Sequence, residues 1–470
     1  MKHFILKSLF WLSISSSLSA QTDSAVTQFL ASPEFKHATV AFCIKDLDGN
    51  TMYAYNQDKL LTPASTMKVL TTASALEILG DDYRYKTELS FSKEDSTLVI
   101  TGAGDPTLGS EYAEDKAQNF LEKWESEIKK QKFSQQPFHV LVDDSRFGYD
   151  GISYRWTWED MGNYYACGAY GISFKDNTYK IYFNTLNEDS TPVILNLEPN
   201  IPGMSFQNKL HTNNSNEDNG YIHGVPFSNQ RSISGDIPAG RSSFSIKGDI
   251  PDPGLLLGKT LTDALRINEG SNVIGYATVR THPLKAAQMN AFYVHQSPEM
   301  KDIVHEVNVR SNNHYAEHLI RTIGADGGFG MDSNALQDGI SKVKSYWESK
   351  GLDISSLQMY DGCGLSPQDA VTPDFMTNLL IQMYCGKNRQ SFYESLPKVG
   401  EEGTLRNFLK NTRLVGKIRA KSGSISGVQC FAGYFVDGNR KYVFSVMVNK
   451  FEGTHRQTVN EIEKLLLSLF

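Results

Sequence analysis

Residues 61–70 read Leu-Thr-Pro-Ala-Ser-Thr-Met-Lys-Val-Leu, and the interpretation of the whole chain starts from this stretch. Thr62 is a good N-cap and Pro63 suits the first helical position, so the pattern predicts a helix that begins here. Apolar residues continue at helical spacing as far as Leu79, and Gly80 marks the end of the helix. The helix would therefore open with a serine and carry a lysine three positions later.

The spacing of Ser65 and Lys68 places a hydroxyl and an amine on one face of that helix. A serine hydroxyl is a weak nucleophile at neutral pH, and a partly desolvated lysine can remove its proton. The helix N-terminus would also direct backbone N–H groups at the reacting centre. The spacing alone is unspecific, because Ser90–Lys93 and Ser341–Lys344 repeat it. Ser65 differs in opening a capped, apolar helix, and this context predicts an acyl-transfer nucleophile.

Two polar motifs further along the chain would complete such a site. In Ser311-Asn312-Asn313, a hydroxyl can relay a proton to a leaving amine, and a carboxamide two residues later can hold a substrate amide. The second motif, Lys421-Ser422-Gly423-Ser424, ends a predicted strand whose edge can pair with a peptide. Its lysine and serine would bind a terminal carboxylate, and its glycine would let the substrate approach closely. Each motif alone is more often a cap or a turn, but the three in order predict catalysis.

Composition restricts the possible classes of protein. The chain has 470 residues, of which 40% are hydrophobic and 21% charged, an ordinary globular balance for two or three domains. Its formal net charge is −7 and it has no basic stripe, so nucleic acid is excluded as a partner.

Residues 1–20 have the pattern of an export signal, with Lys2 and Lys7 before an apolar centre and small residues at the end. Cleavage is expected near residue 19 or 20, and the alternative is a buried N-terminal helix. No later stretch approaches the roughly 18 apolar residues of a spanning helix. We therefore predict a secreted, periplasmic protein without a transmembrane segment in its mature form. The oligomeric state stays open.

Cysteine and histidine patterns predict neither a disulfide framework nor a metal. His314 and His318 are four positions apart, a spacing that suits two ligands, but no third ligand is identifiable. We therefore predict no metal and no other cofactor. An odd number of cysteines in an exported protein leaves at least one thiol unpaired, and the five are Cys43, Cys167, Cys363, Cys385 and Cys430.

The pattern of elements changes three times along the chain. Residues 38–55 read as a hairpin, and the helix from Thr62 follows. Residues 84–279 contain short alternating runs, one helical stretch at about 115–131 and a polar loop at 208–219. Helical periodicity then returns from residue 298, before further strand patterns and a closing helix over 455–470.

These elements predict a multidomain α/β protein. Strands near both chain ends and helices between them indicate an antiparallel sheet flanked by helices. We assign residues 21–83 and 280–470 to a discontinuous catalytic domain, and residues 84–279 to an insertion of two β-rich subdomains.

The three motifs resemble the S-x-x-K, S-D-N and K-T-G set of penicillin-binding proteins and β-lactamases. The long stretch between Lys68 and Ser311 narrows the resemblance to class C low-molecular-mass penicillin-binding proteins of the penicillin-binding protein 4 type, which are D-alanyl-D-alanine carboxypeptidases and endopeptidases. This family inserts two domains at that place. Further similar segments are 104–108, 156–160, 162–165, 295–298, Asp361-Gly362-Cys363-Gly364-Leu365-Ser366 and Gly403-Thr404-Leu405.

The resemblance implies a transpeptidase-like fold and a catalytic role for five residues. Ser65 would be the acylated nucleophile and Lys68 its general base. Ser311 would relay protons with help from Lys421, and Asn313 would bind the substrate. The substrates would be peptidoglycan stem peptides, and β-lactams would acylate the same serine.

The resemblance also implies a substrate-binding role for residues around the nucleophile. Ser422 would hold the terminal carboxylate beside Gly423, and the N–H groups of Ser65 and Ser424 would form the oxyanion hole. Asp160 and an aromatic five residues later, Tyr165, match positions that receive the diaminopimelate side chain in this family; a surface acid and a core tyrosine are the alternative.

Four positions depart from the family pattern. Ser422 replaces a threonine and keeps the hydroxyl, and Asn312 replaces an aspartate that does not contact the acyl bond. Cys363 replaces a serine, and Pro367 replaces an arginine that helps bind the diaminopimelate carboxylate. The third residue of the accepted peptide is therefore open.

Two alternative functions remain at this stage. A class A β-lactamase would need a Glu-x-x-Leu-Asn segment, which the chain lacks. A catalytically silent penicillin-sensing module would not need the complete set of catalytic residues. The balance between trimming terminal D-alanine and cutting cross-links is not encoded in these motifs.

Overall fold

The structure is a computed structural model that describes residues 24–113, 119–282, 290–325 and 333–470. The expected export signal over residues 1–20 lies outside the described residues. Within the described ranges, no helix is long and apolar enough to cross a membrane.

A five-stranded antiparallel sheet joins the two ends of the chain. Strand pairing places Ala41 opposite Met447, so the N-terminal strands are hydrogen-bonded to the C-terminal ones. The sheet predicted from both chain ends is confirmed. Its strands, from one edge to the other, are β16 (Ile418–Ile425), β17 (Val428–Asp437), β18 (Arg440–Asn449), β1 (Thr39–Asp46) and β2 (Thr51–Tyr55). A separate two-stranded sheet consists of β14 (Leu357–Gln358) and β15 (Ala370–Val371).

Each face of this sheet packs against its own hydrophobic core. Ala41 on β1 belongs to one core, while its neighbours Val40 and Phe42 belong to the other, as the period-two alternation of a strand requires. The second core is covered by α9 (His455–Leu469), through residues such as Leu466. The first core contains α1 (Met67–Ile78), α4 (Met300–Arg310), α5 (Asn313–Gly324), α6 (Ala335–Ser349), α7 (Pro373–Cys385) and α8 (Arg389–Ser395).

The first helix begins later than predicted. Thr62 is not an N-cap: its N–H donates to Asn449 Oδ1 at 2.8 Å, which holds this segment extended beside β18. A 3₁₀ turn over Ala64–Thr66 follows, and α1 starts at Met67. Ser65 therefore lies in the turn that precedes the helix, although the predicted end near Gly80 is correct.

The inserted region carries three further sheets around one core, and its predicted strands are confirmed within a mixed α/β fold. The five-stranded sheet contains β12 (Val273–Val279), β5 (Phe138–Asp143), β4 (Thr97–Thr101), β3 (Lys86–Ser92) and β13 (Ala291–Gln296). The two three-stranded sheets are β11 (Phe244–Asp249), β6 (Thr178–Asn184) and β7 (Val193–Glu198), and β8 (Ser205–Asn213), β10 (Gln230–Pro238) and β9 (Asn219–His223).

The sequence prediction was wrong at two places in this region. The predicted polar loop at 208–219 contains most of β8, because Leu210 and Thr212 are buried between exposed polar neighbours and supply a weak alternation. Helix α3 (Pro253–Glu269) was not predicted, although Asp252 caps it by accepting from the Leu255 N–H at 2.8 Å. The predicted helix at 115–131 is present in the described residues as α2 (Phe120–Lys129).

Strand β13 lies on the catalytic side of the proposed domain boundary but pairs with a strand of the inserted region. It pairs with β3 and so adds a strand to the largest sheet of the inserted region. Its residues lie within 280–470, the range assigned to the catalytic domain. The division at residues 83 and 279 itself stays a prediction.

Candidate active site

Ser65 and Lys68 lie where the extended chain turns into α1. Lys68 Nζ is 2.9 Å from Ser65 Oγ. The same amine is 2.6 Å from Asn313 Oδ1 and 2.6 Å from the carbonyl oxygen of Cys363. The fold thus brings the first two motifs together at one nitrogen atom.

Burial controls the charge of Lys68. The residue is 0% exposed, and the loss of hydration disfavours the ammonium form and lowers the pKa of Lys68. Nearby acidic groups, Asp361 and Glu317 among them, act in the opposite direction. The lowered pKa favours a neutral amine, which can accept the proton of the Ser65 hydroxyl.

Ser311 contacts the second buried lysine. Lys421 Nζ is 2.9 Å from Ser311 Oγ and 2.6 Å from the carbonyl oxygen of Ser422. Burial, followed by the positive charge of Lys68, lowers the pKa of Lys421 well below its usual value. Two lysines close to one site therefore favour at most one charge between them.

The Ser311–Asn313 motif is both a helix junction and a part of the site. Ser311 has a left-handed φ of 58° and ends α4, while the Asn312 side chain caps α5 by accepting from the Tyr315 N–H at 3.0 Å. Asparagine and aspartate are equally good N-caps, which explains why Asn312 can replace the family's aspartate. Asn313 also donates to the Tyr165 carbonyl oxygen at 2.8 Å.

Gly423 permits a close approach between two segments of the protein itself. A Cβ atom at this position would lie 2.4 Å from the Pro63 carbonyl oxygen and 3.0 Å from the Ser65 nitrogen. The glycine therefore lets β16 approach the nucleophile segment, and the close approach of a substrate at the same residue stays a prediction.

Ser424 lies in the cleft, and Ser422 is not among the residues that line it. Ser422 Oγ is instead 3.1 Å from Thr404 Oγ1. Ser424 Oγ is 3.1 Å from Nδ1 of His455, the first residue of α9. His455 was missed by sequence reasoning, because it follows the third motif by some thirty positions in a segment without a local pattern.

The tautomer of His455 follows from its second partner. Gln429 Nε2 is 3.3 Å from the Gly423 carbonyl oxygen, so the amide nitrogen faces that acceptor and Oε1 faces the imidazole. Gln429 Oε1 lies 3.1 Å from His455 Nδ1, and an oxygen acceptor at that distance requires a proton on Nδ1. Ser424 Oγ therefore accepts from the same N–H, which leaves the Ser424 hydroxyl proton free to point into the cleft.

A tight turn at residues 361–366 positions the carbonyl oxygen that Lys68 contacts. Its centre is the fully buried carboxylate of Asp361. Cys363, which replaces the family's serine, contributes its backbone carbonyl to this contact, so the changed side chain leaves the interaction with Lys68 in place. Asp361 accepts from the N–H groups of Cys363 at 3.0 Å, Gly364 at 2.5 Å and Ser366 at 2.7 Å, and from Trp156 Nε1 at 2.8 Å.

A cleft of about 720 Å³ opens over Ser65. Asp160 and Tyr165 both line it, and Tyr165 is half-buried. Burial, followed by the charge of Asp160, raises the pKa of Tyr165. Other lining residues are Tyr112, Tyr164, Tyr221, Arg310, Ser311, Asn313, Pro367, Ser424 and Lys450.

Pro367 brings no charge to the cleft, and three cations line it elsewhere. Lys247 lies 2.8 Å from Glu111, and Arg310 lies 2.6 Å from Glu306. Lys450 makes no ion pair with a described residue and is exposed.

A buried cluster of potential metal ligands is already occupied by protein partners. It consists of Glu317, Asp361 and Cys363, the one such group among the described residues. Glu317 is 2.6 Å from Arg321 and accepts from the Gly362 N–H at 2.7 Å. His318, from the candidate pair with His314, has both ring nitrogens 2.8 Å from protein oxygens. All five cysteines are unpaired thiols.

The chain is similar to known proteins over nearly its whole length. The D-Ala-D-Ala carboxypeptidase 3 (S13) family matches residues 22–467. A D-alanyl-D-alanine carboxypeptidase of Actinomadura sp. (strain R39) is 26% identical, over 91% of this chain and 81% of the relative. The D-alanyl-D-alanine carboxypeptidase DacB of Haemophilus influenzae is 24% identical, over 94% of this chain and 91% of the relative.

Solved structures share the fold. The crystal structure of penicillin binding protein 4 (dacB) from Haemophilus influenzae has a TM-score of 0.76 at 21% identity, covering 92% of this chain and 96% of that one. The predatory endopeptidase Bd3459 from Bdellovibrio bacteriovorus, in complex with its immunity protein, has a TM-score of 0.52 at 15% identity, covering 92% of each chain.

Proposed function

The chain belongs to the D-Ala-D-Ala carboxypeptidase 3 (S13) family and is a serine-type D-alanyl-D-alanine carboxypeptidase/endopeptidase, and on this premise we propose that Ser65 is its acylated nucleophile. The observation that carries the proposal is the distance of 2.9 Å between Ser65 Oγ and the buried amine of Lys68. No other described Ser-x-x-Lys pair combines a short contact with a buried lysine.

Acylation begins with proton transfer from Ser65 to neutral Lys68. The serine oxygen forms a bond to the carbonyl carbon of the penultimate D-alanine. The resulting oxyanion is stabilised by the N–H groups of Ser65 and Ser424, and one such donor is typically worth about 3–4 kcal/mol. Asn313 contacts Lys68 and faces the cleft, so it can hold a substrate amide beside the base.

Ser311 delivers a proton to the leaving amine. Its hydroxyl lines the cleft and contacts Lys421, through which the proton that Lys68 took from Ser65 can replace the one given up, so that both amines are neutral again. Cleavage of the C–N bond releases D-alanine or, from a cross-link, the second stem peptide. Water then attacks the Ser65 ester, and neutral Lys68 accepts a proton from that water. The proton passes to Ser65 Oγ as the ester C–O bond breaks, which releases the shortened peptide and restores the free serine.

The substrate carboxylate is held at the edge of β16. The Ser424 hydroxyl, oriented by His455, donates to it from within the cleft. Ser422 would contribute its hydroxyl only after leaving Thr404. His455 acts here as a positioning residue, because it contacts Ser424 and not the reacting atoms.

The far end of the cleft receives the third residue of the stem peptide. Asp160 can accept from an ammonium group, and Tyr165 packs beside it. Lys450 is the lining cation without an ion pair among the described residues, and it can replace the charge that Pro367 does not supply. A diaminopimelate side chain, with an amine and a carboxylate, fits these charges.

β-Lactams acylate the same serine in this proposal. A relative of the same fold, penicillin binding protein 4 of Haemophilus influenzae, is known in complex with a β-lactam. The strained amide places its carbonyl carbon where the D-alanyl carbonyl would lie. We also infer export to the periplasm after removal of residues 1–20, where peptidoglycan is accessible.

Mass spectrometry of muropeptides tests the proposal. Purified mature protein is expected to remove a D-alanine mass from pentapeptides or to convert dimers to monomers, and Ser65→Ala is expected to do neither. Ser341→Ala is the matched control, because its exposed hydroxyl belongs to an identical spacing. Equal loss of activity in both variants, or a penicillin adduct on Ser65→Ala, would contradict the assignment.

A further inference from the structure

An aromatic surface continues the catalytic cleft onto the inserted region. Trp158, Tyr164 and Tyr221 are 59%, 53% and 37% exposed. Together with His223 we call them the aromatic surface. Scattered apolar residues are normal on a protein surface, but a contiguous exposed group marks a binding site. Tyr164 and Tyr221 also line the cleft, so the two features are continuous.

Two rings of this surface, those of Trp158 and Tyr221, lie against His223. Trp158 lies with its ring centroid 6.3 Å from that of His223, and the ring planes differ by 16°. Tyr221 lies on the same imidazole at 6.4 Å, with planes 14° apart. Three rings in nearly parallel planes form an extended surface, which a single stacked pair would not provide.

Hydrogen bonds hold the two segments of the surface together. The Ile222 N–H donates to Asn163 Oδ1 at 3.0 Å, and the Gly224 N–H donates to the Met161 carbonyl oxygen at 3.1 Å. Gly162 has a φ of +106°, and a Cβ there would lie 2.5 Å from the Ile222 carbonyl oxygen. The loop and β9 are therefore in close backbone contact.

The same loop is fixed to the catalytic core. Trp156 Nε1 donates to the buried Asp361 carboxylate at 2.8 Å, and Ser153 Oγ lies 3.0 Å from the Tyr360 carbonyl oxygen. The exposed aromatic side chains are consequently presented by a rigid backbone, and a preorganised aromatic surface loses little conformational entropy when it binds.

We propose that the aromatic surface binds the glycan strand of peptidoglycan, the β-1,4-linked chain of N-acetylated amino sugars that carries the stem peptides. This inference rests on the proposed function: when a stem peptide lies in the cleft, the sugar to which it is attached lies at the cleft opening. A pyranose ring presents an apolar face of C–H bonds, which complements the electron-rich face of an aromatic ring.

The negative charge near Trp158 argues against a membrane as the partner of the aromatic surface. Aromatic side chains also occur at membrane interfaces, but binding to anionic lipids needs adjacent basic residues. The neighbours of Trp158 in the loop include Glu159 and Asp160, and the whole chain has a net charge of −7. An uncharged sugar chain fits this surface better.

Binding and kinetics together test the inference. The probe is peptide-free tetra-N-acetylglucosamine, titrated by calorimetry against wild type, Trp158→Ala, Trp158→Phe and the control Tyr55→Ala, an exposed tyrosine on β2. Trp158→Ala is expected to weaken binding about tenfold, a difference of about 1.4 kcal/mol, while Trp158→Phe and Tyr55→Ala bind nearly as wild type.

Hydrolysis of two substrates separates this site from the catalytic one. Trp158→Ala is expected to cleave a free pentapeptide as wild type does, and to cleave glycan-linked stem peptides about tenfold more slowly. Failure of wild type on the free peptide would instead count against the proposed function. The inference would be overturned if wild type does not bind the sugar, if both substrates are affected equally, or if the protein binds phosphatidylglycerol vesicles and not the sugar.

Discussion

The pairs Ser65–Lys68 and Ser341–Lys344 have the same Ser-x-x-Lys spacing in helical segments but lie in opposite environments. At Ser65, the lysine is fully buried and contacts groups from three separate parts of the sequence. At Ser341, within α6, the hydroxyl is exposed and contacts the Gln337 carbonyl oxygen one turn earlier, while Lys344 is partly exposed. The spacing supplies only proximity. Burial makes a base of an ordinary lysine by lowering its pKa, and the remote hydrogen-bond partners hold its amine beside the serine.

Another copy of the spacing, Ser90–Lys93, fails for a geometric reason. Ser90 lies in strand β3 and is buried, while Lys93 lies just beyond the strand and is exposed. Residues three apart in a strand point to opposite faces, so their side chains diverge.

The largest expected effect comes from removing the buried amine. Lys68→Met is expected to lower kcat about 10²–10⁴-fold, the usual contribution of a general base, because no other side chain in the described part of the chain is hydrogen-bonded to Ser65 Oγ. Lys344→Met is the matched control and should leave kcat unchanged. Steady-state hydrolysis of a D-alanyl-D-alanine peptide measures kcat of both variants. Similar losses of kcat would contradict the distinction between the buried and the partly exposed lysine.

The pH dependence of acylation tests the charge of the same lysine. Burial lowers the pKa of Lys68, so the amine is neutral above that pKa and protonated below it. The rate of acylation by penicillin is therefore expected to rise as the pH increases through the lowered pKa and to fall on the acid side. A rate that decreases over that interval would contradict a neutral lysine base.

A smaller effect is expected from a buried ion pair next to the site. Glu317→Ala removes the partner of Arg321 in a pair with both side chains 0% exposed, and should lower the free energy of unfolding by about 3–5 kcal/mol. Glu306→Ala breaks the Glu306–Arg310 pair, which has the same i,i+4 spacing near the surface, and should cost no more than about 0.5 kcal/mol. Denaturant unfolding measures both; equal effects would refute the role assigned to burial.

The smallest effect is expected at His455. His455→Ala removes the N–H that orients the Ser424 hydroxyl, and should raise KM about tenfold for a peptide with a free terminal carboxylate while kcat changes little. His455→Asn keeps an N–H at a similar position and should restore KM. A loss of kcat in both variants would indicate a purely structural role.

The candidate site was largely predictable because its motifs are local. Ser65 and Lys68 lie within one turn, and Lys421 lies in the same short motif as Ser424, so the sequence contained each fragment. His455 and Asp361 contact residues that are distant in the sequence, so no rule based on residue spacing predicts these contacts.

The errors in the predicted fold also arise from contacts between residues that are distant in the sequence. Helix α1 starts at Met67, later than its capping signal, because a side chain of β18 holds Thr62 extended. Strand β8 was missed because its buried positions alternate with many polar residues, and the pairing with β10 stabilises it instead.

The sequence by itself determined the reaction class, the antiparallel sheet flanked by helices and five of the residues that meet at the site. Residue type, periodicity and short spacing are local properties, so they can be read from the sequence. Tertiary structure alone decided which of the five serine–lysine pairs with this spacing could react. Only folding can remove one lysine from water, which lowers its pKa, and place the Asn313 amide oxygen and the Cys363 carbonyl oxygen beside its amine.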